Sequence, residues 1–354
     1  MNGGLLSLIS FYMSFKVTPN RILSCLEGTS AASRRNLEFV TPEAVRVAAV
    51  QLEKLEYQTI QEYALGMLSH ARAAVEQGAQ LVVYPEYTGL LPLTLAPGWR
   101  RLCRWLLEEG QAPTLEAKVD PGRLEQAAKA LHNFLEEAYL DTFSTIARLQ
   151  HVCIVAGTGL FWEEGKLRHR AAVFGPAGEL LGVQDRVNPV GAERWAGVAP
   201  SWEVEPVNTP LGPVGVVFGP DAYAFECFQI LRAKQVKLVA APCVRGGVLA
   251  DLLRSRANGM GLYLAHACYS APGLDGRAGI YAPLGATPHL DGVLALAKDG
   301  AAQAVCQRLN LEKEDYLPPE SVPGAGFVAG DYLPSYRYGG GALQAAQPAG
   351  DAPA

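Results

Sequence analysis

The sequence predicts an α/β domain built of layers, and three observations lead to that prediction. Short apolar, β-branched segments alternate along the chain with longer segments that have helical apolar spacing. Residues 213–242 (PVGVVFGP to KLVAAP) form one complete strand–turn–helix–strand unit. The 354 residues are 49% hydrophobic and 18% charged, which is enough apolar material for a sizeable core. We therefore expect a sheet that helices cover.

The predicted elements follow one another in a regular order. The sequence predicts strands at 45–52, 80–84 and 152–157, a hairpin of 171–174 with 180–184, and further strands at 214–218, 237–242, 262–267, 279–281, 292–297 and 302–310. It predicts helices at 57–76, 100–110, 123–149, 225–233 and 250–261. Pro176, Ala177 and Gly178 supply the turn of the hairpin.

The two ends of the chain differ from this pattern. Residues 1–44 are predicted to be an N-terminal extension ahead of a domain at 45–337, and residues 338–354 a disordered low-complexity tail. The apolar run at 5–15 has no preceding Lys or Arg and is too short to span a bilayer. We therefore expect a packed N-terminal arm or an alternative start, and no membrane partner.

Charge and cysteine usage exclude several classes of function. The net charge is −5 and the pI about 5.8, so a phosphate-binding surface for nucleic acid is not expected. The seven cysteines contain no CxxC pair and most lie in apolar runs, which is typical of reduced, buried thiols in a cytoplasmic protein. The six histidines lack the spacing of metal ligands, and no phosphate or dinucleotide loop occurs, so we predict no metal and no cofactor.

The chemistry of an open α/β sheet is found at the carboxyl ends of its strands. Glu86 ends the second predicted strand, and Arg186 lies in a loop after the hairpin, with Glu193 seven residues later. The turn after strand 214–218 begins at Gly219, which has no side chain, and Asp221 is predicted to cap the next helix.

Three segments resemble, in this order, the motifs of the nitrilase superfamily of carbon–nitrogen hydrolases. They are LVVYPEYTGL with Glu86, GVQDRVNPVGAERW with Arg186, and VVFGPDAYAFE with Gly219. The family has a glutamate, a lysine and a nucleophilic cysteine at these positions. Arg186 therefore stands in the lysine position and Gly219 in the cysteine position. The resemblance covers 45–337 and implies a four-layer α-β-β-α sandwich that forms at least a homodimer.

The resemblance also implies a site made of Glu86 as base, Arg186 as the cation near the oxyanion, Gly219, and Glu193 as a brace. Each position has an ordinary structural alternative. In that alternative, Glu86 is a surface residue at a turn, and Gly219 suits a turn with positive φ. Arg186 then pairs with Asp185, and Glu193 pairs with Arg194.

Without a thiol at Gly219 the covalent step has no nucleophile, and such a loss typically costs on the order of a million-fold in rate. We therefore expect a non-hydrolytic relative that binds a small carboxylate, amide or other nitrogen compound, or that regulates an active homologue. The alternative is an active hydrolase that uses a displaced cysteine, Cys243 or Cys268, or a water activated by Glu86. Both thiols, and Cys227, are also predicted as small core residues.

Overall fold

A computed structural model of the chain describes residues 3–29, 36–96, 98–108 and 121–312. Its strands are β1 (Val45–Leu52), β2 (Leu81–Val83), β3 (Cys153–Val155), β4 (Gly159–Glu163), β5 (Lys166–Phe174), β6 (Leu180–Asp185), β7 (Val207–Thr209), β8 (Gly212–Val216), β9 (Leu238–Pro242), β10 (Tyr263–Tyr269), β11 (Gly279–Tyr281), β12 (Val293–Leu296) and β13 (Gln303–Leu309). Its helices are α1 (Gly3–Lys16), α2 (Pro19–Gly28), α3 (Ile60–Glu76), α4 (Arg100–Glu108), α5 (Pro121–Gln150), α6 (Ala192–Trp195), α7 (Phe225–Ala233) and α8 (Gly247–Met260).

The strands join into one sheet of two halves, in the order β4-β5-β3-β2-β1-β10-β9-β8-β7. The halves meet at β1 and β10, which pair in parallel at Gln51 with Cys268 and at Leu52 with Tyr269. Parallel pairing of β1, β2 and β3 in one half, and of β8, β9 and β10 in the other, aligns the carboxyl ends of these strands. The loops that carry the candidate residues therefore leave the sheet on one side.

Three buried clusters of apolar side chains separate four layers. In β1, Ala48 and Val50 face α3 and α5, whereas Val47 and Ala49 face the other half of the sheet. This alternation follows from the two-residue period of a strand. A third cluster packs the outer face of β9 against α7 and α8. The layers are thus helix, sheet, sheet and helix, which confirms the predicted sandwich.

Several element bounds differ from the prediction. Helix α3 begins at Ile60 rather than 57, because the hydroxyl of Thr59 accepts a hydrogen bond from the backbone N–H of Glu62 and caps the helix there. Helix α8 begins at Gly247, and β10 extends to Tyr269. A 3₁₀ turn that is not among the predicted elements lies at Thr88–Leu95.

The N-terminal extension is helical where it is described. Helix α1 lies against α5, and α2 lies against both α3 and α5. Met13, Ile22 and Leu26 are fully buried in the first cluster. Within the described ranges, no helix is both long and apolar enough to cross a membrane. The predicted domain end at residue 337 and the tail at 338–354 lie outside the described residues.

Candidate active site

The structure brings the four predicted residues into direct contact. Glu86 follows β2, Arg186 follows β6, Glu193 lies in α6, and Gly219 follows β8. The first three are joined by side-chain hydrogen bonds, and Gly219 faces the Glu86 carboxylate. Glu86 and Arg186 are 0% exposed and Glu193 is 6% exposed. The candidate site is therefore a buried cluster of charged groups.

The backbone around Glu86 is fixed by contacts from three neighbouring strand ends. Its N–H donates to the carbonyl of Cys243 over 3.4 Å, and its carbonyl accepts a hydrogen bond from the Tyr269 hydroxyl at 2.8 Å. The next residue, Tyr87, has a φ of 62°, a conformation that side-chain-bearing residues rarely adopt. The hydroxyl of Thr158 accepts from the Tyr87 N–H at 2.7 Å and holds this turn.

The guanidinium of Arg186 is the centre of the cluster. It binds the carboxylates of Glu86 and Glu193 and donates to the backbone carbonyl of Phe218. Its plane lies over the Phe218 ring, with the guanidinium carbon 4.5 Å from the ring centroid. Asp221 adds a third carboxylate, with its Oδ2 3.7 Å from Nη1. One cation thus serves three buried carboxyl groups.

Glu193 is the best-satisfied of these carboxyl groups. Its oxygens accept from Nε of Arg186 at 3.1 and 3.2 Å, from Nη2 at 2.9 Å, and from the Tyr87 hydroxyl at 2.6 Å. The Val190 N–H and Nδ1 of His169 complete the set at 3.1 and 2.6 Å. Burial opposes ionisation, but the charge of Arg186 and the hydrogen bonds outweigh it and hold the pKa of Glu193 far below its usual range.

His169 orients this carboxylate and belongs to a short hydrogen-bonded chain. Burial lowers the pKa of His169 and outweighs the opposing charge of Glu193, so the ring is neutral near pH 7. The neutral ring donates from Nδ1 to ionised Glu193, and its Nε2 accepts from the Thr158 hydroxyl at 2.6 Å. The Tyr87 ring stacks on His169 with centroids 4.5 Å apart. Thr158 thereby links the turn after Glu86 to the carboxylate of Glu193.

Glu86 is in the opposite electrostatic situation. Its Oε1 binds Arg186, but its Oε2 is buried and has no hydrogen-bond partner. Burial raises the pKa of Glu86 to about 8 although Arg186 opposes this, and the charges of Glu193 and Asp221 add to the rise. Because one guanidinium cannot balance three carboxylates, the proton is taken up by the carboxyl with the fewest donors. We therefore infer that Glu86 is largely protonated at pH 7.

Gly219 leaves no room for a side chain. Its φ is 50°, in the left-handed region that favours glycine. A Cβ built on residue 219 would overlap Oε2 of Glu86 and lie 2.7 Å from Oε1 and 2.8 Å from Cδ. The carboxyl group of Glu86 therefore fills the space in which a side chain at position 219 would begin.

The cysteines that could replace a nucleophile are buried near this point. Cys243 and Cys268 are both 0% exposed. Burial and the charge of Glu86 raise the pKa of the Cys243 thiol, and a hydrogen bond to the Gly219 backbone opposes this only in part. Burial also raises the pKa of Cys268. Cys227 lies in α7 within the third apolar cluster.

A set of possible metal ligands coincides with the cluster. Glu86, His169 and Glu193 offer ligand atoms that all lie within 4.8 Å of one another. Both ring nitrogens of His169 are already hydrogen-bonded, and Arg186 brings its positive charge to both carboxylates. The arrangement fits a guanidinium better than a metal ion.

Neither of the two alternative pairings with sequence neighbours forms, and the predicted helix cap at Asp221 is wrong. Asp185 binds Arg170 rather than Arg186, with distances of 2.6 and 3.0 Å. Arg194 donates to the carbonyl of Pro189 rather than to Glu193. Asp221 does not cap α7. Its carboxylate lies inside a 3₁₀ turn (Gly219–Tyr223) and accepts from the backbone N–H groups of residues 187 and 188.

Sequence reasoning also missed His169, Thr158 and Tyr87 as parts of the site. A signal for His169 was available, because in β5 the residues Leu167, His169 and Ala171 alternate with Arg168 and Arg170. A histidine on the inward face of a strand needs polar partners inside the protein. Nothing in the sequence near Thr158 indicates its role.

Comparison with known proteins gives a family match and a set of similar folds. The model of the carbon-nitrogen hydrolase family matches residues 46–268. A double mutant of the amidase from Nesterenkonia sp. AN1 in complex with acrylamide is 20% identical, with a TM-score of 0.53 over 78% of this chain and 96% of that one. A single mutant of that amidase, in which acrylamide has added to the active-site cysteine, is 19% identical, with a TM-score of 0.53 over 76% and 96%.

The carbon-nitrogen hydrolase from Helicobacter pylori G27 is also similar in structure. It is 16% identical, with a TM-score of 0.58 over 76% of this chain and 90% of that one. At such identities these structures show a shared fold and nothing about activity. Among curated protein sequences, none matches this chain.

Proposed function

The chain belongs to the carbon-nitrogen hydrolase family, and we propose that it is a non-hydrolytic member in which a buried ion-pair cluster replaces the catalytic centre. One observation carries the proposal. The carboxyl group of Glu86, held by Arg186, fills the space in which a nucleophilic side chain at Gly219 would begin.

Each component that covalent hydrolysis requires is missing or already engaged. Position 219 has no nucleophile. A protonated Glu86 cannot accept a proton as a general base. Arg186 binds the carboxyl groups of Glu86 and Glu193 and is not free to stabilise an oxyanion. Loss of the nucleophile alone costs on the order of a million-fold in rate, or roughly 8 kcal/mol of barrier.

An active hydrolase remains the second candidate, because the Cys243 thiol lies at the Gly219 backbone. A displaced nucleophile of this kind needs a thiolate and access for the substrate. The raised pKa of Cys243 disfavours the thiolate, and its complete burial prevents access for a substrate. The same holds for Cys268. A water activated by Glu86 would require an ionised carboxylate and space beside Gly219.

As a non-hydrolytic member, the protein would act by binding. The proposed ligand is a small nitrogen compound or carboxylate, and the proposed assembly is at least a homodimer in the cytoplasm. Regulation of an active homologue is part of the same proposal. These parts of the proposal rest on the resemblance to the family and on composition.

Ammonia release from a panel of small amides and nitriles tests the proposal. The wild type and Glu86→Gln should both release no more ammonia than a protein-free blank, while an active amidase in parallel shows that the assay works. Ammonia release by the wild type that is lost in Glu86→Gln would overturn the proposal in favour of an active hydrolase.

A further inference from the structure

An apolar cavity of about 60 Å³ lies beside the buried cluster. The 3₁₀ turn at Thr88–Leu95 forms one wall, and helices α4, α5 and α6 form the others. The side chains that make the cavity apolar include Leu90, Trp99, Leu106, Leu131 and Leu135. Tyr87 and Glu193 form the boundary between the cavity and the charged cluster.

We propose that this cavity is the ligand site of the protein, and that it takes the short hydrocarbon group of an uncharged ligand. The inference rests on the proposed non-hydrolytic, ligand-binding function. It also narrows that function, because it excludes a carboxylate or ammonium group from the cavity.

The polar groups at the boundary give the first reason. The oxygens of Glu193 already accept hydrogen bonds from Arg186, His169, Tyr87 and the backbone of Val190. The Tyr87 hydroxyl donates its proton to Glu193. The boundary therefore offers a ligand no donor, and the lone pairs of the Tyr87 hydroxyl oxygen cannot satisfy the three N–H groups of an ammonium. Burial of an unpaired polar group is unfavourable. A carboxylate would in addition be repelled by ionised Glu193.

The size and position of the cavity give the second reason. A cavity of about 60 Å³ is less than half of the roughly 150 Å³ engineered cavity that holds benzene. Scaled from that cavity, it accommodates about two to three carbons of an aliphatic chain rather than an aromatic ring. Leu102 and Leu106 on the α4 side are only half-buried, so the polar end of such a ligand can remain at the rim.

Three molecules with the same four-carbon chain test this chemistry. They are butan-1-ol, butyrate and butylammonium, titrated into the full-length protein while the methyl resonances of Leu131 and Leu135 are followed by NMR. We expect saturable shifts with butan-1-ol and none with the two ions. Shifts of similar size with either ion, or no shift with any of the three, would overturn the inference.

A matched pair of variants locates the site. Ala127 lines the cavity, and Ala127→Val adds two methyl groups, a volume comparable to the cavity. Ala130 lies on the same helix, is half-buried and does not line the cavity, so Ala130→Val carries the same helix penalty. Ala127→Val should weaken binding of butan-1-ol at least about ten-fold, and Ala130→Val should not.

Ala128→Val, at a second lining position, provides a further test should Ala127→Val fail to fold. Binding that survives both Ala127→Val and Ala128→Val would overturn the inference. A wild type that binds butan-1-ol as expected and also releases ammonia from amides would support the cavity and contradict only the non-hydrolytic function. A wild type that releases no ammonia and binds none of the three probes would contradict only the cavity.

Discussion

The carboxyl group of Glu86 lies against Gly219, where a side chain on residue 219 would begin. The two positions therefore depend on each other, because a thiol at 219 and Glu86 in its present conformation cannot both be accommodated. Arg186 fixes that conformation by binding Oε1 of Glu86. The glycine at position 219 and the arginine at position 186 are thus two parts of one arrangement.

Arg186→Leu should lower the free energy of unfolding by about 3–5 kcal/mol, since it leaves Glu193 and Asp221 buried without their cation. Arg186→Lys should cost less, because it keeps the charge and loses the planar contacts. Urea unfolding at pH 7 measures both. Arg104→Leu is the matched control. Its ion pair with Glu56 is largely exposed, and its loss should cost at most about 1 kcal/mol. An Arg186→Leu protein as stable as the control would contradict the central role of Arg186.

The pH dependence of stability should reveal Glu86. Its pKa in the folded protein is about 8, above the value of about 4.3 expected in the unfolded chain. Between these values the folded protein binds more protons than the unfolded chain, so this group makes stability fall as pH rises. Glu86→Gln should remove that fall. The wild type should therefore lose stability relative to Glu86→Gln between pH 5 and pH 8, so that the gap between the unfolding free energies of the two proteins changes over this range. A constant gap over this range would show that Glu86 does not titrate there.

The positions of the site residues were predictable, whereas their pairing was not. Motif order and strand ends place Glu86, Arg186 and Gly219 together. The sequence also offers Asp185 as the nearest partner of Arg186. At the end of β6, however, successive side chains point to opposite faces. Asp185 therefore meets Arg170, its register partner on β5, and Arg186 turns inward to the cluster.

The strands that were missed are short and each forms a hairpin with the strand that follows it. Strand β7 (Val207–Thr209) has three residues and pairs with β8, and β4 (Gly159–Glu163) exists through its pairing with β5. Strand formation of this kind depends on the neighbouring strand more than on local apolar pattern. The contacts within the candidate site, in contrast, are long-range, since Glu86 and Arg186 are a hundred residues apart in sequence.

Thr158→Ala should destabilise the protein by about 1–3 kcal/mol, because two buried groups lose their partner. These groups are Nε2 of His169 and the N–H of Tyr87, which has a positive φ. Thr158→Ser keeps the hydroxyl and should cost clearly less. Thermal unfolding of the two variants beside the wild type measures the difference. Equal losses for alanine and serine would mean that the methyl group, and not the hydrogen-bonded chain, matters at this position.

Cys243 and Cys268 should resist alkylation in the folded protein, because both thiols are fully buried and their pKa values are raised. The half-buried Cys25 and Cys306 should be labelled first. Brief treatment with iodoacetamide followed by peptide mass spectrometry gives the order, and unfolding in urea should make all positions equally reactive. Fast labelling of Cys243 that disappears in Glu86→Gln would instead indicate a displaced, activated nucleophile.

Activity should be restored only by changing Gly219 and Arg186 together. Gly219→Cys returns a thiol to a position whose φ of 50° is strained for cysteine, at a cost of about 1–3 kcal/mol, and the new side chain must displace Glu86. With Arg186 in place the displaced carboxylate has no free space, so this variant should show little ammonia release. Adding Arg186→Lys supplies a smaller ammonium that frees volume beside Glu86 and can face an oxyanion. The double variant should therefore release ammonia from small amides faster than either single variant.

Gly219→Ala with Arg186→Lys carries similar backbone strain without a thiol and is the control. A folded double variant that is no faster than this control would show that more than these two positions separates the protein from catalysis.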